Sequence, residues 1–142
     1  MLRSIEIFVD GASRGNPGPS GIGIAFCDDK KTVIKKIFKF IGIATNNVAE
    51  YSAMIYALQE ALMDRYEKVT LKSDSELLTK QLRGEYKVKN DNLKMFFDLF
   101  LHLRRGFQEI DIVTIPREDN KIADKLANKA IDSRFDNSLK IE

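Results

Sequence analysis

Four acidic residues that lie far apart along the chain could meet at one point: Asp10, Glu50, Asp74 and Asp124. Asp10 and Asp74 each end a run with the pattern of a β-strand, and ligands of open α/β sheets bind beyond the carboxyl ends of the strands. Glu50 and Asp124 fall in early turns of two segments with helical periodicity. Converging carboxylates repel one another by roughly 4 kcal/mol per close pair at intermediate dielectric. Only cations would make such a cluster stable.

Ligation by oxygen alone selects hard divalent metals, and Mg²⁺ is usually held by one or two carboxylates together with waters and phosphate. Two such ions about 4 Å apart activate a water and stabilise the leaving oxygen when a phosphodiester is attacked. No nucleophilic side chain is then required. The alternative is that aspartates at strand ends are turn residues and that early helical acids only favour the helix dipole. Spacing alone leaves both interpretations open.

The first third of the chain has the pattern of three antiparallel strands. Alternating apolar residues predict a strand over residues 5–10, with Asp10 as its last residue. The glycine- and proline-rich residues 11–21 predict a wide turn. Further strands are predicted over residues 22–27 and 33–41, and short connections make the three an antiparallel meander.

The remaining elements alternate between helix and strand. A helix with Thr45 or Asn46 as its cap is followed by a strand over residues 69–73 and a short helix over 76–82. A helix over residues 92–105, a strand over 110–115 and a last helix capped by Asp119 or Asn120 complete the order. A strand, helix, strand succession predicts a parallel crossover. The fold class is therefore α/β, with one mixed sheet.

Length and composition are those of one domain. The chain has 142 residues, 44% of them hydrophobic, and its net charge of +2 neither demands nor excludes a polyanionic partner. The single cysteine, Cys27, excludes an internal disulfide and suits a reducing compartment. With no membrane-length apolar run and no signal peptide, we expect a cytoplasmic protein that contacts no membrane. One domain should span residues 1–142, with 133–142 a loosely ordered tail.

Four sequence blocks together resemble the type 1 ribonuclease H family. In chain order they read VDGASRGNPGPSG from Val9, TNNVAEY from Thr45, SDS from Ser73, and PREDN from Pro116 leading to ADKLA from Ala123. Motifs and predicted elements agree in order, which chance rarely supplies.

The resemblance implies a fold, a reaction and a metal. The fold is a five-stranded mixed sheet, antiparallel in strands 1–3 and parallel in strands 4–5, flanked by helices. Asp10 would bridge two Mg²⁺ ions, with Glu50 and Asp74 completing one site and Asp124 the other; Mn²⁺ is an expected substitute. The implied reaction is endonucleolytic hydrolysis of RNA in an RNA/DNA hybrid, leaving 5′-phosphate and 3′-hydroxyl ends. A monomer is expected.

The resemblance also assigns substrate contacts. Asn16, Asn46 and Asn47 match positions that touch the minor groove of the hybrid, where 2′-hydroxyls identify RNA, and Gly15 is assigned to the same substrate-binding set. Short amides suit that task because they both donate and accept hydrogen bonds. Thr45, with Asn16, either holds a phosphate of the DNA strand or only caps a helix.

Three departures distinguish this chain from familiar bacterial members. The loop before the last carboxylate has no histidine, and Arg117 is the candidate replacement, as in shorter archaeal-like members; a guanidinium holds a phosphate but shuttles no proton near neutrality. Duplex RNA is then a second candidate substrate, as for some relatives that lack the histidine.

The basic protrusion is also missing, and only Arg83, Lys87, Lys89 and Lys94 form a modest basic edge, which either contacts phosphates or is simply solvated. Third, Glu76 stands where a base-contacting glutamine is usual.

Two other function classes compete with hybrid cleavage. One is a catalytically inert nucleic-acid-binding module, disfavoured because such a module has no use for four mutually repelling carboxylates. The other is a different nuclease on the same fold, such as an exonuclease or a strand transferase. Asn46 and Asn47 ahead of Glu50 favour hybrid cleavage. The single histidine, His102, lies mid-helix and is expected to be structural or exposed.

Overall fold

Alternating apolar side chains build a central sheet in the computed structural model, which describes residues 1–134 and 137–140. Within that part of the chain six strands form one sheet in the order β5-β4-β1-β2-β3-β6. They are β1 (Ser4–Ser13), β2 (Gly18–Cys27), β3 (Val33–Ala44), β4 (Lys68–Ser73), β5 (Glu109–Thr114) and β6 (Asn137–Lys140).

The strand directions confirm the predicted mixed sheet. Strands β1, β2 and β3 form an antiparallel meander, while β4 runs parallel to β1 and β5 parallel to β4. The parallel pairing of β1 with β4 ends at Phe8 and Lys72, so Asp10 of β1 and Asp74, which follows β4, both lie just beyond it. The sheet topology therefore places these two carboxylates at the same end of the central strands.

Helices cover both faces of the sheet. They are α1 (Asn46–Met63), α2 (Glu76–Leu82), α3 (Asp91–Leu103) and α4 (Lys121–Ser133), with single 3₁₀ turns at Arg104–Gly106 and Arg117–Asp119. Helices α1, α2 and α3 share the main core with β1 and β2, while Leu126 and Ala130 of α4 pack with Phe38 of β3 in a second core cluster. No helix in the described residues combines the length and the apolar character that crossing a membrane requires.

The first strand is longer than predicted. Asp10 does not end it, because Gly11, Ala12 and Ser13 continue the antiparallel pairing with Ile22, Gly21 and Ser20 of β2. The wide turn that we expected over residues 11–21 shrinks to residues 14–17. Small residues have low strand propensity, so the sequence pattern misses a segment whose conformation depends on its partner strand.

The tail contains a strand that the sequence analysis did not predict. Residues 137–140 pair antiparallel with Lys35, Lys36, Ile37 and Phe38 of β3 and extend the five-stranded sheet by one strand. Four residues are too few for a recognisable alternating pattern, and the pairing instead satisfies the open edge of β3. Residues 135, 136, 141 and 142, also part of the expected tail, lie outside the described residues.

Candidate active site

A polar cleft opens at the end of the sheet where the parallel pairing of β1 with β4 stops. Its volume is about 410 Å³, and its walls come from strand β1, helices α1 and α4 and the segments that follow β4 and β5. The lining residues are Asp10, Gly11, Ala12, Ser13, Asn46, Glu50, Asp74, Arg117, Asp124 and Asn128. All four predicted carboxylates therefore face the same space.

Glu50 reaches the cleft because α1 packs directly against β1 at a glycine. A Cβ on residue 11 would lie only 2.2 Å from the backbone carbon of Ala49, so a larger residue would force the helix away. The Gly11 backbone N–H donates a 3.2 Å hydrogen bond to Oε2 of Glu50, which is 6% exposed. The side chain of Thr45 accepts a hydrogen bond from the Val48 backbone and caps the helix, as one of its two predicted roles requires.

Asp124 reaches the cleft through a second glycine contact, on the other face of the sheet. Gly23 is the β2 partner of Asp10, and a Cβ at this position would lie 2.1 Å from the carbonyl oxygen of Ala123. Helix α4 therefore approaches the strand at the residue before Asp124. The carboxyl group of Asp124 lies within hydrogen-bonding reach of Asp10.

Asp74 follows β4 and is oriented by the segment that leads into α4. The Asn120 side-chain amide donates to Asp74, and its Nδ2 also donates to the carbonyl of Val9 at 2.9 Å. The Arg117 guanidinium acts on Asp74 as a neighbouring positive charge. Asn120 is 1% exposed, and its Oδ1 has no hydrogen-bond partner among the described residues. This buried amide links β1, Asp74 and α4.

Burial and mutual repulsion disfavour the ionised form of the carboxylates. Burial, followed by the charges of Asp74 and Asp124, raises the pKa of Asp10 to about 8. Burial and the charges of Asp10 and Asp74 also raise the pKa of Glu50 well above its usual range, against the lowering effect of the Gly11 hydrogen bond. The pKa of Asp74 is raised by burial, while Asn120 and Arg117 oppose the rise. The positive charge near the cluster is therefore too small to keep its carboxyl groups ionised at their usual pKa values.

The donor set fits a divalent cation. One carboxylate oxygen from each of Asp10, Glu50 and Asp74 lies within 4.8 Å of the others, close enough for a single ion to touch all three. Asp124 lies outside this group of three but beside Asp10. Oxygen ligands without nitrogen or sulfur suit hard ions such as Mg²⁺ or Mn²⁺.

Four of the predicted substrate residues lie where the β1–β2 turn meets the start of α1. Gly15, with φ of +124°, and Asn16 lie in the turn between β1 and β2, and the side-chain oxygen of Asn16 accepts a 3.0 Å hydrogen bond from the Asn46 backbone. This bond ties the turn to the start of α1. Asn46 lines the cleft, and Asn47 beside it is exposed.

The remaining predicted residues divide between the cleft and the distant surface. Arg117 lines the cleft, but Glu76 is exposed, forms a 2.7 Å ion pair with Lys80 and is not among the lining residues. In the basic edge, Arg83 forms a 2.6 Å ion pair with Glu85, and Lys94 lies 3.4 Å from Asp91. Lys87 and Lys89, the other two residues of this edge, are exposed. His102 is exposed on α3, and Cys27 is a buried free thiol.

Sequence reasoning overlooked two amides of the site. Asn120 was considered only as a helix cap, but its side chain caps nothing and instead holds Val9 and Asp74. Asn128 was not singled out, although it lines the cleft and donates to Asp124. The spacing of Asp124 and Asn128 by one helical turn is the only signal in the sequence, and it is a common one.

Comparison with known proteins identifies the family. A family model described as "Reverse transcriptase-like" matches residues 8–130. Ribonuclease HI of Halobacterium salinarum is 38% identical over 128 residues, which cover 90% of this chain and 64% of that protein. Ribonuclease H of Pseudomonas syringae is 32% identical over 147 residues, covering 93% and 95%. The chain belongs to the type 1 ribonuclease H family.

A solved structure of a ribonuclease H family member has the same fold. LC11-RNase H1, crystallised in complex with an RNA/DNA hybrid, superposes with a TM-score of 0.88 at 41% identity, over 92% of this chain and 98% of the other. The chain spans 64% of the Halobacterium relative and 36% of a mycobacterial bifunctional relative. Ribonuclease H family members depend on metal ions, and the Asp10, Glu50 and Asp74 group offers ligands for one.

Proposed function

We propose that this chain is a metal-dependent endoribonuclease that hydrolyses the RNA strand of RNA/DNA hybrids. The observation that carries the proposal is the convergence of Asp10, Glu50 and Asp74, with Asp124 beside Asp10, in one cleft. Relatives named ribonuclease H and a neighbour bound to an RNA/DNA hybrid support the choice of substrate.

The carboxylates are the proposed ligands of two Mg²⁺ ions, for which Mn²⁺ is a substitute. Glu50 and Asp74 would complete one ion's ligands and Asp124 the other's, with Asp10 common to both. When bound, such ions supply activation of the attacking water and stabilisation of the leaving oxygen. Attack on phosphorus breaks the bond to the 3′ oxygen, so the products have 5′-phosphate and 3′-hydroxyl ends.

The protein's own contribution is to hold these ligands in place before substrate arrives. The Gly11 N–H fixes Glu50, and the Asn120 amide fixes Asp74, so two of the four carboxylates cannot rotate freely. Groups oriented by surrounding hydrogen bonds pay little reorganisation cost during reaction. Ligands supplied by four different segments also explain why the site exists only in the folded chain.

Arg117 is proposed to hold a phosphate of the substrate at the mouth of the cleft. It is exposed, lines the cleft and already acts as a positive charge near Asp74. A guanidinium assists by charge and hydrogen bonding and not by proton transfer.

Recognition of the RNA strand is assigned to the amides of Asn16, Asn46 and Asn47. The Asn46 backbone holds the Asn16 side-chain oxygen, which leaves the Asn16 amide group to donate outward. With Asn47 beside them, these groups match the donor and acceptor character of ribose 2′-hydroxyls in a minor groove. Gly15 keeps the turn in a conformation that side chains rarely adopt.

The test is cleavage of an end-labelled RNA/DNA hybrid by the purified protein with Mg²⁺ or Mn²⁺, beside duplex RNA and duplex DNA. We expect internal RNA fragments with 3′-hydroxyl ends from the hybrid, and no products with EDTA. Asp10→Asn should abolish cleavage and keep the fold. Asp98→Asn is the matched control, because Asp98 is exposed on α3 and does not line the cleft.

Each alternative has its own outcome. Stepwise shortening from one end would identify an exonuclease, and binding without products would identify an inert nucleic-acid-binding module. If duplex RNA is cleaved at a rate comparable to that of the hybrid, the substrate range includes duplexes in which both strands are RNA. Cleavage that survives EDTA or Asp10→Asn would refute the metal-dependent assignment.

A further inference from the structure

Asn128 forms a second layer of contacts around the carboxylate of Asp124. The two residues lie one turn apart on α4, and both line the cleft. The side-chain Nδ2 of Asn128 donates to the Asp124 carbonyl at 3.0 Å and to its carboxylate Oδ1 at 3.3 Å. The amide therefore restrains one oxygen of the Asp124 carboxylate.

Arg14 fixes the orientation of that amide. The Nη2 atom of Arg14 lies 3.4 Å from both the side-chain oxygen and the backbone carbonyl oxygen of Asn128. The Nη1 atom forms a 2.6 Å ion pair with Asp132, one turn further along α4. Because the guanidinium only donates, it selects the rotamer of Asn128 in which the oxygen faces Arg14 and the NH₂ group faces Asp124.

We infer that Asn128 is a positioning residue for Asp124, and that Arg14 holds it in the productive orientation from the β1–β2 turn. Apart from the contact with the Asp10 carboxyl group, the Asn128 amide is the donor that the described part of the chain provides to the Asp124 carboxylate. Gly11 and Asn120 perform the equivalent task for Glu50 and Asp74. Outer partners of this kind orient metal ligands and tune their affinity.

The arrangement also joins substrate recognition to the metal ligands. Arg14 lies next to Gly15 and Asn16 in the turn assigned to the RNA strand, while Asn128 and Asp124 belong to α4. A shift of the turn would change the Arg14 contacts and with them the orientation of Asp124. This inference rests on the proposed function, since it gives Asp124 a cation to bind.

The experiment compares Asn128→Ala, Arg14→Ala and the double variant with the wild-type protein. Mn²⁺ binding is measured by calorimetry, and the Mg²⁺ dependence of hybrid cleavage is measured at saturating substrate. We expect Asn128→Ala to raise the Mg²⁺ concentration for half-maximal rate by about tenfold or more, with an unchanged KM for hybrid and weaker Mn²⁺ binding. Arg14→Ala should have a smaller effect that disappears in the double variant, because it acts through Asn128.

Two controls separate positioning from a general effect on the helix. Lys129→Ala changes the exposed neighbour of Asn128, and Asp132→Asn removes the ion pair of Arg14 without touching Asn128. Lys129→Ala should match the wild type, and thermal melting should show that every variant folds. At positions 128 and 129, which lie in α4, alanine favours the helix. Unchanged metal dependence in Asn128→Ala, or an equal loss in Lys129→Ala, would overturn the inference. A wild-type protein that binds no Mn²⁺ would instead refute the proposed function.

Discussion

Replacing Asp10 by asparagine should destroy activity and, without metal, make the fold more stable. Asp10 is 6% exposed and lies against Glu50, Asp74 and Asp124, and its pKa is raised from 3.8 to about 8. Between these two pH values the folded state keeps the Asp10 proton, whereas the unfolded chain has released it. The stability of the metal-free protein therefore falls as the pH rises from about 4 to about 8.

The size of the effect follows from the same pKa. At about 1.36 kcal/mol per pH unit, ionising Asp10 in the folded state costs about 5 kcal/mol at pH 8. Asparagine removes this charge but also alters the hydrogen bonds with Glu50 and Asp124, so we expect a net stabilisation of about 2–4 kcal/mol, or about 5–10 °C in Tm.

The assay is thermal melting of both proteins in EDTA at several pH values, repeated with Mg²⁺. The wild-type Tm in EDTA should fall with rising pH more steeply than that of Asp10→Asn. Mg²⁺ should raise the wild-type Tm and change the variant much less, because the variant lacks the ligand shared by the two proposed sites. An Asp10→Asn protein that melts below the wild type in EDTA at pH 7.5 would refute the electrostatic reasoning.

Three further predictions follow from the packing and contacts of the site. Gly23→Ala should cost about 1–3 kcal/mol and abolish cleavage, because its Cβ would lie 2.1 Å from the Ala123 carbonyl and push Asp124 away; wild-type melting and activity would contradict this. Arg117→Ala should slow hybrid cleavage and keep its metal dependence; complete loss would mean that Arg117 does more than hold a phosphate. Asn120→Ala should lower the free energy of unfolding by about 1–3 kcal/mol, because it leaves the Val9 carbonyl unpaired. It should also move the acid limb of the pH–rate profile to higher pH, since Asn120 lowers the pKa of Asp74. An acid limb at the wild-type pH would exclude that role.

The sequence predicted those parts of the structure that depend on local pattern. Helix α2 has the predicted bounds, and the existence and order of all five predicted strands are confirmed, because hydrophobic period is a local property. The end of β1 and strand β6 were missed because their conformation depends on pairing with β2 and β3. Pairing of this kind leaves no periodic trace in Gly11, Ala12 and Ser13.

In the candidate site, too, the sequence predicted some residues and missed those whose role depends on contacts between distant parts of the chain. Asp10, Glu50, Asp74 and Asp124 were found from chemistry, element ends and family resemblance, and the structure places all four in one cleft. The amides that orient them were missed, because a contact between Asn120 and Val9 spans 111 residues and nothing in the sequence marks it. The roles of the carboxylates in catalysis stay predictions until cleavage is measured.

The close packing that forms the site is also the source of its electrostatic cost. Gly11 and Gly23 let α1 and α4 lie directly on β1 and β2 beside Asp10, and this approach brings Glu50 and Asp124 close to the Asp10 carboxylate. A fold selected only for stability would place apolar or neutral side chains there, since burying unpaired like charges costs free energy. The surrounding core holds the cluster together against that repulsion. A cation would turn the repulsion into binding free energy, so the positions that most destabilise the metal-free protein should be those that contribute most to metal affinity.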